Sequence, residues 1–219
     1  VEHDGHGLPA GLTARWKAMP QPDRLLVVSV AGRPLEQAVA DCAATLWGIV
    51  PEFLQADATS GSVVNGYRQP GTLGADRWAA LLGAASRGLA PCCIVDAGTA
   101  VTVDVLDAAE QHRGGMIFAG LGLSREALAR GTDRLPMVVE RQVPELAVDT
   151  ESAILLGTRE ALIGAVERVL GAIRRRFPGI RVVLSGGDAT LLAQALPAFQ
   201  PELHDDLVFA GLVTRLEGS

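Results

Sequence analysis

Asp96-Ala97-Gly98-Thr99 places a carboxylate at the end of an apolar run, followed by a glycine and a hydroxyl. Glycine lets a phosphate approach the backbone, and the threonine hydroxyl with nearby N–H groups can donate to it. A carboxylate alongside suits a cation that neutralises phosphate charge. Asp and Gly are equally ordinary turn residues, so taken alone the tetrapeptide is more simply a strand turn. Ser185-Gly186-Gly187-Asp188 follows the aliphatic run Ile180–Leu184. A double glycine between strand and helix lets a phosphate or flat ligand lie against the backbone, though many such turns bind nothing.

Gly74-Ala75-Asp76-Arg77-Trp78 opens a helical pattern. Asp76 is a candidate general base, and Arg77 a candidate bidentate clamp for an anionic group. The competing reading is a solvated pair that gains from the helix dipole. Trp78 reads as core. Tyr67, the only tyrosine, lies in the loop Asn65-Gly66-Tyr67, where its phenol can line a pocket or anchor the loop. The histidines converge on nothing in sequence: His3 and His6 fall in an irregular opening, His112 in a turn, and His204 before the last helix. No HExxH, G-x-S-x-G, Walker A or Rossmann pattern occurs.

These residues need a scaffold, and 219 residues suffice for one generous α/β domain or two small ones. A composition of 48% hydrophobic and 20% charged residues is globular. The net charge of -6 disfavours a binder that works by neutralising nucleic-acid phosphates. No apolar run is long enough to span a bilayer. Three cysteines, two adjacent in an apolar run, make no disulfide framework and point to a reducing cytoplasm. The chain begins at Val1 without a signal peptide, so its opening reads as a truncation.

Residues 1–22 read as poorly periodic. Strands are expected at 24–30, 50–54, 94–95 continuing through 101–105, from 114 onward, and at 180–184. Helices are expected at 35–46, 73–86, 124–130, 150–176, 189–196 and 205–216. The alternation implies α/β layers, with the best boundary near Leu89–Pro91.

In order and spacing these motifs resemble the type III pantothenate kinases, including their Bvg accessory factor-like branch. The resemblance runs from about Ser29 to Leu216. Its most specific stretch is NGYRQPGTLGADRWAALLGA (65–84), supported by DAGTAVTVD (96–104), GGMIFAG (114–120), Asp149-Thr150 and LSGGD (184–188). It implies an actin-like ATPase fold of two ribonuclease-H-like α/β halves, residues 1–90 and 91–219, around a nucleotide cleft. The implied reaction is phosphoryl transfer from ATP to the primary hydroxyl of pantothenate, the first step of coenzyme A synthesis. By resemblance Asp76 is the proton acceptor, and Tyr67, Gly74, Ala75, Asp76, Arg77 and Thr150 bind pantothenate. Asp96 matches the ligand of a monovalent cation (potassium or ammonium). Thr99 matches an ATP contact, with Gly98, Gly186 and Gly187 beside the nucleotide. Mg²⁺ is implied with ATP, and a homodimer as the assembly.

Two departures stand against this pattern. Ala119 replaces the usual proline of GGxIxPG, and no Asp-x-Gly-Asn-Thr/Ser phosphate loop precedes Gly32. The chain as it stands is therefore expected to transfer phosphate poorly. The alternatives are a non-catalytic accessory protein on the same fold and another actin-like small-molecule kinase.

Overall fold

A computed structural model describes residues 8 and 10–217. His3 and His6 lie outside them. The chain is mixed α/β, organised on one central sheet. The opening elements are α1 (Ala10–Lys17), β1 (Leu26–Val27), α2 (Arg33–Trp47) and β2 (Glu52–Phe53), then the hairpin β3 (Thr59–Ser60) and β4 (Val63–Val64). α3 (Ala75–Ser86) leads into β5 (Cys92–Ala97), β6 (Ala100–Leu106), β7 (His112–Ala119) and α4 (Leu121–Gly131). The long α5 (Thr150–Arg176), β8 (Arg181–Ser185), α6 (Ala189–Ala195), β9 (Glu202–Leu203) and α7 (Leu207–Glu217) follow.

The expected strand at 24–30 contracts to β1, which pairs in parallel only with β2. A strand persists where a ladder partner exists, and here the partner offers two residues. The opening that reads as aperiodic contains a helix, because α1 rests on α2: the Trp16 and Trp47 rings lie 5.2 Å apart. α2 begins after Gly32 with Pro34 in its first turn and stops at Gly48, whose φ of 67° suits glycine. α5 occupies the expected 150–176, capped by Asp149, whose side chain accepts from the Ser152 N–H at 2.8 Å.

The central sheet has the order β7-β6-β5-β8-β9, with β5 antiparallel to β6 and parallel to β8. Alternation sorts its side chains. Cys93, Val95, Val101, Val103, Val182 and Leu184 face a core built with α5 and α6. Cys92, Ile94, Leu106 and Val183 face another core shared with α3 and α7. Burial pushes the Cys92 thiol up to about 12, so it stays protonated and apolar. Asp96, Thr102 and Asp104 share the α3 side of the sheet by the same period of two. The turns after β5, β7 and β8 leave from one end of the sheet.

α3 and α7 touch through glycines. A Cβ on Gly83 would overlap the Leu207 carbonyl, and one on Gly211 the Ala79 carbonyl. This contact fixes how deeply α3 sits on the sheet. Gly211→Ala is expected to destabilise the chain by about 1–3 kcal/mol through forced separation of the two helices. Urea unfolding monitored by circular dichroism measures the loss.

Candidate active site

The N-terminal turn of α3 presents Asp76 and Arg77 above the sheet. Gly74 precedes the helix and Asp76 lies in its first turn, where a carboxylate suits the positive end of the dipole. Asp76 Oδ1 accepts from the Arg77 backbone N–H at 2.7 Å. A Cβ on Gly74 would come within 2.6 Å of that same oxygen, so glycine leaves the carboxylate its room.

Arg77 is only 6% exposed. Its Nε donates to Asp104 Oδ2 at 2.8 Å and its Nη2 to Asp104 Oδ1 at 2.7 Å, while Nη1 donates to the Tyr67 hydroxyl at 2.7 Å. Burial works against the charge, yet the hydrogen bonds and charge of Asp104, with Tyr67, hold the guanidinium pKa above its ordinary value. Three of the five N–H groups are engaged, leaving one on each terminal nitrogen. The side-on fork expected for a substrate therefore belongs to Asp104.

His112 also joins this cluster. Rather than standing alone in a turn, it begins β7, is buried, and places Nε2 2.8 Å from Asp104 Oδ1. Its ring stacks on Tyr67 at 5.7 Å and 20°. Nothing in a single sequence ties His112 to Asp104. The hairpin register, in which Asp104 opposes Gly115 and Leu106 opposes His112 across an irregularity, creates the contact.

Asp96 lies near the end of β5, opposite Thr102 and Ser185. Burial, then the charges of Asp76 and Asp104, raise its pKa. Among the described residues its carboxylate has no hydrogen-bond or ion-pair partner. The Gly98–Thr99 turn is hemmed in closely. Gly120 N–H donates to the Thr99 carbonyl at 3.0 Å and Asp188 N–H to the Ala97 carbonyl at 2.9 Å. Gly186, at φ 90°, would bring a Cβ within 2.5 Å of Asp96 Oδ1. The two glycine turns singled out in sequence, Gly98 and Gly186-Gly187, thus meet around Asp96 at one sheet end. Thr150 is different: it is exposed at the start of α5 and lines an apolar groove against α4. No hydrogen bond joins it to Tyr67, Asp76 or Arg77 among the described residues. No group of three or more His, Cys, Asp or Glu is arranged to hold a metal by itself among them. No described helix is long and apolar enough to cross a membrane.

The fold is mixed α/β, with glycine turns and the Asp96 carboxylate gathered at one end of its central sheet. A solved Baf family protein from Campylobacter jejuni, described as a transcriptional activator, shares the fold at a TM-score of 0.60. It is 18% identical, over 93% of this chain and 86% of that one. The sequence profile of the type III pantothenate kinases matches residues 8–172. Type III pantothenate kinases from Leptothrix cholodnii and Aromatoleum aromaticum are 36% and 41% identical over 90% and 89% of the chain, covering 78% and 79% of their own lengths. The one from Halorhodospira halophila is 47% identical over 58% of the chain, a match that spans 50% of that relative. The chain belongs to the type III pantothenate kinase family.

Asp96 carries a cost that a bound cation would relieve. A carboxyl whose folded pKa lies above its unfolded value binds more protons when folded, so its contribution to stability falls as pH rises through that interval. Asp96→Asn is expected to raise the melting temperature of the ligand-free chain at pH 7, with the gain shrinking as pH falls through the raised pKa of Asp96 and gone below about 4, the unfolded value. Differential scanning calorimetry across pH measures it, and an unchanged or lower melting temperature at pH 7 contradicts the assignment.

Proposed function

We propose that the protein transfers the γ-phosphoryl group of ATP to the primary hydroxyl of pantothenate, giving 4'-phosphopantothenate. The observation that carries this reading is the juxtaposition of Asp76 and Arg77, the latter bonded to Tyr67, with the Asp96 carboxylate, which has no hydrogen-bond or ion-pair partner among the described residues. Family membership supports ATP as the phosphoryl donor. The acceptor alcohol is a poor nucleophile at neutral pH, and Asp76 accepts its proton as attack proceeds. The free N–H groups of Arg77 and the rim of Tyr67 bind pantothenate, and Gly74 and Ala75 let it approach the start of α3. Thr150 is taken as a further contact to pantothenate.

Gly98, Thr99, Gly186 and Gly187 lie beside the nucleotide. Asp96, half-buried and without a hydrogen-bond or ion-pair partner among the described residues, fits a monovalent cation, potassium or ammonium, completed by oxygens of the surrounding turns. That ion would supply positive charge against the phosphates. Mg²⁺ would be held chiefly by the phosphates themselves, in keeping with its preference for few protein ligands. We take residues 1–90 and 91–219 as the two halves: the short strand pairs fall in the first and the central sheet in the second, with α3 lying across onto that sheet. A cytoplasmic setting follows from this chemistry, since ATP and reduced cysteines belong there.

Asp76→Asn is expected to lower kcat by about 10²–10⁴ with little change in either KM, as for loss of a positioned base. A coupled assay of pantothenate-dependent ADP release on the intact gene product reads this. Retention of kcat removes Asp76 from the role.

The homodimer is supported by apolar surface around β7 and α4. Met116, Ile117, Leu123 and Leu128 are exposed, and a groove of about 800 Å³ between α4 and α5 is lined by Phe118, Leu128, Ala153 and Leu162. Ile117 is 63% exposed on an edge strand. Ile117→Glu is expected to turn the dimer into a monomer of unchanged secondary structure, read by sedimentation velocity beside circular dichroism.

A further inference from the structure

His112 lies outside every motif that points to the active site, yet it closes a ring of four side chains. Asp104 of β6 binds Arg77 of α3 through two bonds of 2.8 and 2.7 Å. Arg77 Nη1 donates to the Tyr67 hydroxyl at 2.7 Å, and the Tyr67 ring stacks on His112. His112 Nε2 returns to Asp104 Oδ1 at 2.8 Å. We propose that His112 and Asp104 are positioning residues that hold Tyr67 and Arg77 in register for pantothenate. The inference rests on the reading of Tyr67 and Arg77 as pantothenate contacts.

The chemistry explains why this position takes a histidine. An ionised carboxylate only accepts, so Nε2 carries the proton that bonds Asp104. The same residue must offer a flat face to Tyr67. Asparagine or glutamine supplies the donor without the face, and phenylalanine the face without the donor. The arrangement is retained although Nδ1 is buried with no hydrogen-bond partner, which is costly in a packed interior. His112 is thus placed for its Nε2 and its face, at the expense of its other nitrogen.

The backbone is shaped around this ring. Gly66 lies so close to His112 that a Cβ would overlap the His112 carbonyl. A Cβ on Gly115 would come within 2.5 Å of Asp104 Oδ1 and 2.6 Å of Arg77 Nη2. Asn65 pins the loop from behind: its Nδ2 donates to the Asp57 and Pro70 carbonyls at 3.0 and 3.2 Å, and its Oδ1 accepts from the Tyr67 N–H at 3.0 Å. Tyr67 is therefore held at its backbone by Asn65, at its hydroxyl by Arg77 and at its face by His112. A closed ring resists displacement more than an open chain of contacts, because moving one member breaks two interactions.

Tyr67 is the only tyrosine of the 219-residue chain, so 3-fluorotyrosine labelling gives a fluorine probe of that residue alone. His112→Gln and His112→Phe are each expected to shift its ¹⁹F resonance. In turnover assays of the intact gene product, both are expected to raise the KM for pantothenate about tenfold, with the KM for ATP and kcat changed by less than about threefold. A lower melting temperature with the resonance and both KM values unchanged assigns His112 a purely structural role and overturns the proposal. An equal rise in both KM values overturns it too. In the unsubstituted chain a long-range ¹H–¹⁵N spectrum is expected to show the proton on Nε2 of His112. Protonation at Nδ1 alone removes the bond to Asp104 and breaks the ring even if neither variant folds. Pantothenate added to the unsubstituted chain should also move the fluorine signal. If the variants move it and pantothenate does not, the ring stands and the substrate assignment falls.

Discussion

The buried ion pair between Arg77 and Asp104 is the constraint around which the site is arranged. Neither charge could remain in this interior without the other, since removal of either leaves an uncompensated ion in a poorly polarisable surrounding. The pair therefore joins α3 to β6 as firmly as apolar packing does, and with directionality that packing lacks. Because Asp76 directly precedes Arg77, anchoring the guanidinium also fixes the rotation of the first turn of α3. The side on which Asp76 emerges follows from where Arg77 is held.

Around that anchor the charges are unevenly paired. Asp104 is engaged by Arg77 and His112, whereas Asp96 has no hydrogen-bond or ion-pair partner among the described residues and its pKa is pushed up by burial and by Asp76 and Asp104. A carboxylate left in that condition is a poor structural element and a good cation ligand. Neighbouring turns contribute carbonyls and N–H groups at close quarters, since Gly120 and Gly186 let the connections crowd one end of the sheet. In the proposed reading, the opposing demands of substrate, which needs donors, and nucleotide, which needs cations, would be met on adjoining sides of one helix terminus.

Much of this was readable in residue order. The long α5 announces itself through its cap and its basic last turn, and the β5–β6 unit through alternation about a glycine turn. Asp76, Asp96, Tyr67 and the glycine turns stood out through their combined order and spacing, since each alone reads as well as an ordinary turn, helix start or loop anchor. Elements made by tertiary contact were not readable. α1 is helical because Trp16 meets Trp47, and the two-residue strands β3, β4 and β9 exist only beside their partners. Arg77 was legible as a functional cation but not as half of a buried pair, because Asp104 lies 27 residues further on and faces α3 only once β5 and β6 have paired. His112 was hidden for the same reason, with a register irregularity between it and Asp104.

The glycine-mediated contact of α3 with α7 carries a consequence for synthesis on the ribosome. Tyr67, Asp76, Arg77, Asp96 and Asp188 all leave the exit tunnel before α7 does. Until residues 207–217 emerge, the face of α3 that holds Gly83 has only solvent or chaperone against it. The apolar core shared by α3 and the sheet is then open on the side that α7 covers. Docking of α7 closes that side, so the apolar packing of α3 is completed only by the last described helix.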